Sequence, residues 1–160
     1  MVGHNAGAIN NSYATGSVTG TDYLGGLVGQ NSGTITNTYS TGAVAVTANS
    51  GGLVGAVSGN GTVTSSYWDT ETSGQGTSAG GEGKTTLQMK KQATYIGWDF
   101  GPEAPVWNIV EDATYPYLTN SYSYRIGGTV YSDLGVTPVG SGVIVRLVIE
   151  IGRASCRERV

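Results

Sequence analysis

The residues able to do chemistry are few, and their spacing speaks against catalysis. Gly83-Lys84-Thr85 has the form of the end of a phosphate-binding loop. Such a loop needs G-x-x-x-x-G-K-T after an apolar strand, so that backbone amides cradle the phosphate and the lysine reaches it. Position 78 is Ser and no apolar strand precedes it, so a solvated loop is expected. His4 is the only histidine and no HExxH is present, whereas a His-based metal centre or a Ser/His/Asp arrangement needs several converging partners. Asp69, Glu71 and Glu82 could gather a hard cation through oxygen ligands. Their spacing fits no known loop, and solvated acids are expected. Asp99 with Glu103, and Glu111 with Asp112, are carboxylate pairs without an apolar pocket to separate their pKa values. No catalytic, cofactor or metal residue is therefore expected. The remaining candidates are Tyr13, Tyr39 and Tyr67, which would form a sugar-binding stripe if they face outward and a structural row if they pack inward or at corners. The structural row is the favoured reading.

These residues sit in an unusual background. Charged residues make up 12% of the 160 positions, against roughly 25% in an average domain, while Gly reaches 27 and Tyr ten. Disorder goes with high charge and few aromatics, so aromatics and valines at fixed places indicate a fold. From Met1 to Trp68 the only Asp, Glu, Lys or Arg is Asp22. Without a basic stripe, nucleic acid is a poor partner. Apolar runs stay far below about 18 residues, so no membrane insertion is expected from this segment. The start, Met-Val-Gly-His-Asn, lacks the basic and apolar regions of a secretory signal; any such signal is expected outside this chain.

The last ten residues, Ile151-Gly-Arg-Ala-Ser-Cys-Arg-Glu-Arg-Val160, break from everything before them. They back-translate as ATC GGA AGA GCG TCG TGT AGG GAA AGA GTG, which resembles a widely used short-read sequencing adapter read in frame. Residues 151–160 are therefore expected to be a non-native tail, with the protein continuing past Glu150. Without them five basic residues stand against ten acidic ones, a formal charge of −5, and no thiol remains. A cysteine-free chain suits an exported protein.

What positions the tyrosines is an internal repeat. Val2-Gly3-His4-Asn5, Val28-Gly29-Gln30-Asn31 and Val54-Gly55-Ala56-Val57 recur every 26 residues. The same interval relates Ile9 to Ile35 and Tyr13 to Tyr39; Val63 and Tyr67 follow after an insertion around Asn60 and Gly61. Gln30 and Ala56 at the position of His4 show that this corner does not need imidazole. A period of 20 to 50 residues, with insertions falling in turns, predicts a solenoid or blade array. Within a copy Ile9, Asn11, Tyr13 and Thr15 alternate with Ala8, Asn10, Ser12 and Ala14, which is the strand period. Gly with Asn supplies the corners. Coils stacked about 4.8 Å apart would superimpose Ile9, Ile35 and Val63 as a core row, and Tyr13, Tyr39 and Tyr67 as an aromatic one.

Gly-Gly-Leu-Val-Gly followed by Asn-x-Gly-x-Ile-x-Asn-x-Tyr-x-Thr-Gly resembles the GLUG repeat, over residues 2 to about 68 in three copies. The resemblance implies a segment of a bacterial surface or secreted protein, as in filamentous-haemagglutinin-like adhesins or the non-catalytic parts of some immunoglobulin-cleaving proteases. Partners would be a host or environmental glycan or protein surface, and further repeats outside the chain would stack on it. The first copy lacks the Gly-Gly-Leu expected before Val2, so Met1 reads as an internal start.

After Trp68 the period stops, and Asp69 to Gly83 reads as a loop. Lys84 to Thr94 is the one helical candidate, with Thr85 or Thr86 as N-cap. Trp98, Phe100, Trp107, Tyr115 and Tyr117 follow among prolines and suggest a plug over the end of the stack, whose strand edges need covering. Alternation returns at Ile126 to Tyr131 and Val143 to Ile149, as in the opening of a transthyretin-like or immunoglobulin-like sandwich cut short. The expectation is an all-β chain: a β-solenoid over 1–68, a capping segment with one short helix over 69–118, a truncated β-sandwich hairpin over 119–150, and the tail.

Overall fold

A computed structural model of the protein describes residues 1–119, all of which fall in one compact unit. The hairpin expected over 119–150, Thr119 apart, and the tail at 151–160 lie outside the described residues. Strands dominate, and the two helices have four residues each, so this part is all-β.

Each repeat contributes equivalent strands. The first gives β1 (Val2–Asn5) and β2 (Ala8–Ala14); the second gives β3 (Leu24–Gly25), β4 (Val28–Asn31) and β5 (Thr34–Ser40); the third gives β6 (Ser50–Gly51), β7 (Val54–Val57), β8 (Thr62–Thr64) and β9 (Tyr67–Asp69). All pairings between repeats are parallel. One sheet has the order β1-β4-β7, and β5 pairs with β2 on one side and with β8 and β9 on the other. The register aligns Val2 with Val28 and Val54, Ile9 with Ile35 and Val63, and Tyr13 with Tyr39 and Tyr67. Ile35, Leu53, Val28 and Val54 are fully buried, with Ile9 and Val63 packed against them. At the corner after β1 and β4 an amide ladder replaces apolar packing. Asn5 Nδ2 donates to Asn31 Oδ1 at 2.8 Å, and Asn31 Nδ2 donates to the carbonyls of Gly33 and Thr62, which satisfies groups that would be costly to bury unpaired.

The side on which the tyrosine row lies, left open by the sequence, is set by the backbone. Asn11, Asn37 and Ser65 all have left-handed backbones, at φ 45°, 53° and 43°. One left-handed residue shifts the phase of a strand. Residues 12, 38 and 66 and residues 14, 40 and 68 then turn inward, where Thr38 Oγ1 donates to Ser66 Oγ at 3.1 Å and Ala14 and Trp68 join the aliphatic core. The tyrosines turn to the other side and join a separate aromatic cluster. Asn accepts this conformation more readily than Ser. Ser65→Asn is therefore expected to stabilise the protein by about 0.5–1 kcal/mol in chemical denaturation.

The segment after Trp68 is not the loop expected. Asp69 caps a first helix, α1 (Thr70–Ser73), which ends on left-handed Gly74. The chain then runs over the third repeat as a shortened fourth layer. Gly52 N–H donates to Thr77 O, Ala79 N–H to Val54 O and Glu82 N–H to Ser66 O, and β10 (Glu82–Lys84) pairs in parallel with β9. Residues 77–82 span what residues 52–67 span beneath them. No periodicity betrays this layer because it is much shorter than a repeat. The single helix expected over Lys84 to Thr94 is also broken. It is α2 (Thr86–Met89), with Thr85 as its N-cap in a capping box, followed by a 3-10 turn at Gln92–Thr94. Lys91 is extended between them, Gln92 N–H being held by Glu111 Oε1 at 2.9 Å. The short β11 (Trp107–Asn108) and β12 (Tyr117–Leu118) close the described part as an antiparallel pair.

Candidate functional site

The tyrosine row and what covers it make up the densest cluster of polar-tipped aromatics. Tyr13 stacks on Tyr39 with ring centroids 5.2 Å apart and planes 5° from parallel. Tyr95, Trp98, Trp107 and Tyr115 lie on the same row, each within 6.4 Å of the Tyr39 ring, and Trp98 and Trp107 approach to 4.4 Å. The aromatic segment is thus a lid along the row; at the outer edge of the third repeat the fourth layer pairs with Gly52, Val54 and β9, while β8 pairs with β5 alone. Donors of the lid engage the left-handed residues: Trp98 Nε1 donates to Ser65 O at 2.8 Å, and Trp107 Nε1 to Asn11 Oδ1 at 3.4 Å. The left-handed residues thus place the tyrosines outward and also receive the lid.

Tyr39 is 2% exposed and Tyr67 5%, while Tyr13 is 42% exposed. Of the candidate ligand row only Tyr13 offers ring surface to solvent. Tyr39 Oη donates to Pro116 O and Tyr95 Oη to Met89 O, both at 2.6 Å. Burial pushes both hydroxyls well above the usual tyrosine range. Tyr115 is pushed up to about 12, by burial first and then by its bond to a carboxylate.

That carboxylate is Asp69, which is not solvated as expected but has no exposed surface. Oδ1 accepts the backbone N–H groups of Glu71 and Thr72 at 2.9 and 3.0 Å, capping α1. Oδ2 accepts the hydroxyls of Thr86 and Tyr115, both at 2.7 Å. One side chain so joins β9, α1, α2 and the lid. Burial alone would raise its pKa; the hydrogen bonds from Tyr115, Thr86, Thr72 and Glu71 outweigh burial and hold it below the ordinary value. An Asp followed by Thr and Glu is an N-cap signature, and that signal could have identified the cap, though not the two hydroxyls from distant positions.

The other candidate residues stay apart. His4 is exposed, with Nε2 3.2 Å from Ser32 Oγ. Glu71 accepts Thr86 N–H at 2.7 Å, and Glu82 pairs with Lys84 at 2.5 Å. Asp99 accepts the N–H groups of Gly101 and Val106, and Asp112 pairs with Lys91. Among the described residues no three His, Cys, Asp or Glu are grouped to hold a metal ion. Clefts lined by described residues include one of about 280 Å³ beside Val63, Ser65 and Ile96, and one of about 270 Å³ beside Val2, Val18 and Tyr23. No helix among the described residues is long and apolar enough to cross a membrane.

Comparison with known proteins agrees with the repeat. Residues 20–47 match the family model described as the GLUG motif. A protein of Evansella cellulosilytica described as a Gly-rich membrane protein is 33% identical over 162 residues, covering 97% of this chain and 16% of its own length. The chain thus spans about a sixth of that relative, and no solved structure matches it. The chain carries a GLUG motif and has a distant relative rich in glycine.

Proposed function

We propose that this chain is a non-enzymatic structural or adhesive segment of a large bacterial cell-surface or secreted protein, built as a β-solenoid over residues 1–68 and closed by the segment 69–118. One observation carries the reading: side chains 26 residues apart pair in parallel register across successive repeats. A chain that repeats its backbone at a constant interval extends in one direction, and its length is set by the number of units. A spacer needs this property. The description of the relative as a membrane protein supports a cell-envelope location, and the short share of it that is matched supports a segment of something longer. Asp69 and Glu71 are engaged by helix N–H groups, and Glu82 and Asp112 by lysines, which supports a non-catalytic role.

Duplicating Val28–Leu53 in tandem tests this. A modular rod accepts the added unit, lengthens by about 4.8 Å in small-angle scattering and melts at a higher temperature. Loss of cooperative folding on duplication would sink it. A second reading, a glycan-binding face, is favoured by the exposed Tyr13 ring. Binding on a glycan array that disappears with Tyr13→Ala, the fold remaining intact, would select it; the rod reading expects no binding.

A further inference from the structure

One facet of the repeats lies apart from the tyrosine row. Ahead of the left-handed residues, β2, β5 and β8 alternate without interruption. Ile9, Ile35 and Val63 turn to the aliphatic core, and the residues on either side of them turn outward. The parallel register sets those outward residues in a grid, with Ala8, Thr34 and Thr62 in one row and Asn10, Thr36 and Thr64 in the next. Five of the six are exposed, and Thr36 in the middle strand is half-buried. Thr36 Oγ1 and Thr64 Oγ1 stand 3.2 Å apart, so the hydroxyls of neighbouring strands fall in line.

Exposed threonine is common in strands, but three properties set this grid apart. Its spacing is regular in two directions, about 4.8 Å between parallel strands and about 6.6 Å between alternate residues of one strand. It is stiff, because threonine has little freedom at χ1 and the strand is pinned from behind by fully buried Ile35. It is uncharged: the one charged residue before Trp68, Asp22, bonds to Asn49 in another turn, and Glu82 beside β9 is paired with Lys84. Four hydroxyls, each able both to donate and to accept, therefore stand on a fixed lattice with methyl groups between them. The surface complementary to such a grid is itself flat, uncharged and periodic, with donors and acceptors at every point. Ice meets that description. Water oxygens on its prism face repeat along two perpendicular axes at intervals close to the two spacings of the grid.

We propose that the facet formed by Thr34, Thr36, Thr62 and Thr64 is an ice-binding site, with the threonine hydroxyls taking the place of lattice waters. It goes beyond the spacer role and rests on the register of β2, β5 and β8, not on that role.

Inhibition of ice recrystallisation in frozen sucrose, followed by microscopy, tests this on the full chain. The parent should keep ice grains small. Thr34→Lys/Thr64→Lys should abolish the effect, since two hydrated charges break the lattice. Thr64→Tyr, which keeps strand propensity and so protects the fold, should also abolish it by standing proud of the facet. Thr19→Lys, at an exposed position off the grid, should leave it unchanged. Circular dichroism below 0 °C checks that each variant is folded. Tandem duplication of Val28–Leu53 adds two threonines to the grid and should lower the effective concentration by about tenfold. A parent no more active than serum albumin, an equal loss in Thr19→Lys, or a folded duplicated chain without gain overturns the proposal. So does binding of the inactive-on-ice parent to crystalline cellulose that the two lysines abolish, which would assign the grid to a polysaccharide. Failure of the spacer reading would show separately, as loss of cooperative melting in the duplicated chain, and leaves the comparison of parent with point variants intact.

Discussion

Trp107→Ala is expected to destabilise the protein by about 3–5 kcal/mol, the range for removing a large buried aromatic. Trp107 has no exposed surface, touches Trp98, Tyr39 and Tyr13, and donates to Asn11. Neighbours held on both sides by strands cannot collapse into the space. Since an ordinary domain is stable by about 5–15 kcal/mol, the loss is a large share of the whole. Because Trp107 joins the lid to the row, the lid should loosen first. The near-ultraviolet circular dichroism of the aromatic cluster is expected to fall at a lower denaturant concentration than the far-ultraviolet strand signal, where the parent loses both together. Coincident transitions in the variant would show that lid and repeats are one cooperative unit.

Asp69→Ala is expected to cost about 3 kcal/mol. Losing an N-cap costs about 1 kcal/mol, and hydrogen bonds to a charged acceptor are worth about 1.5–3 kcal/mol. The substitution removes the cap and strands the hydroxyls of Thr86 and Tyr115. Tyr115→Phe should cost about 1 kcal/mol alone and little more once Asp69 is gone, so a double-mutant cycle should return a coupling of about that size. The same contact sets a pH dependence. The Asp69 carboxyl is held below its ordinary value in the folded protein, and an unfolded aspartate titrates near about 3.9. Its contribution is therefore complete above that value and is lost as pH falls through the lower folded pKa. The parent should lose stability in acid below about pH 4, and Asp69→Asn, which cannot titrate, should show a smaller loss over that range.

Several features were legible residue by residue. The spacing of Val2, Val28 and Val54 and of Ile9, Ile35 and Val63 announced both the repeat and its core row, because stacked backbones require like side chains at like positions. The start of the helix was legible to within one residue, Thr85 or Thr86, since a cap acts within one turn. The side on which the tyrosines face stayed open, because a single left-handed residue at Asn11 reverses the face and its φ is not written in the residue type. Asp69 to Gly83 read as a loop because its pairing is with residues 15 to 31 positions away in sequence, beyond any local period.

The amino-acid order by itself determined the strand-and-corner unit, its interval and which rows run through the repeats: these are local or strictly periodic, and each copy restates them. Only the tertiary structure decided which side of the row the tyrosines face, that the aromatic segment lies along that row, and that Asp69 gathers hydroxyls from Thr86 and Tyr115. Those outcomes depend on groups far apart in the chain competing for the same buried space, and on whether a buried carboxylate finds enough donors there to stay charged.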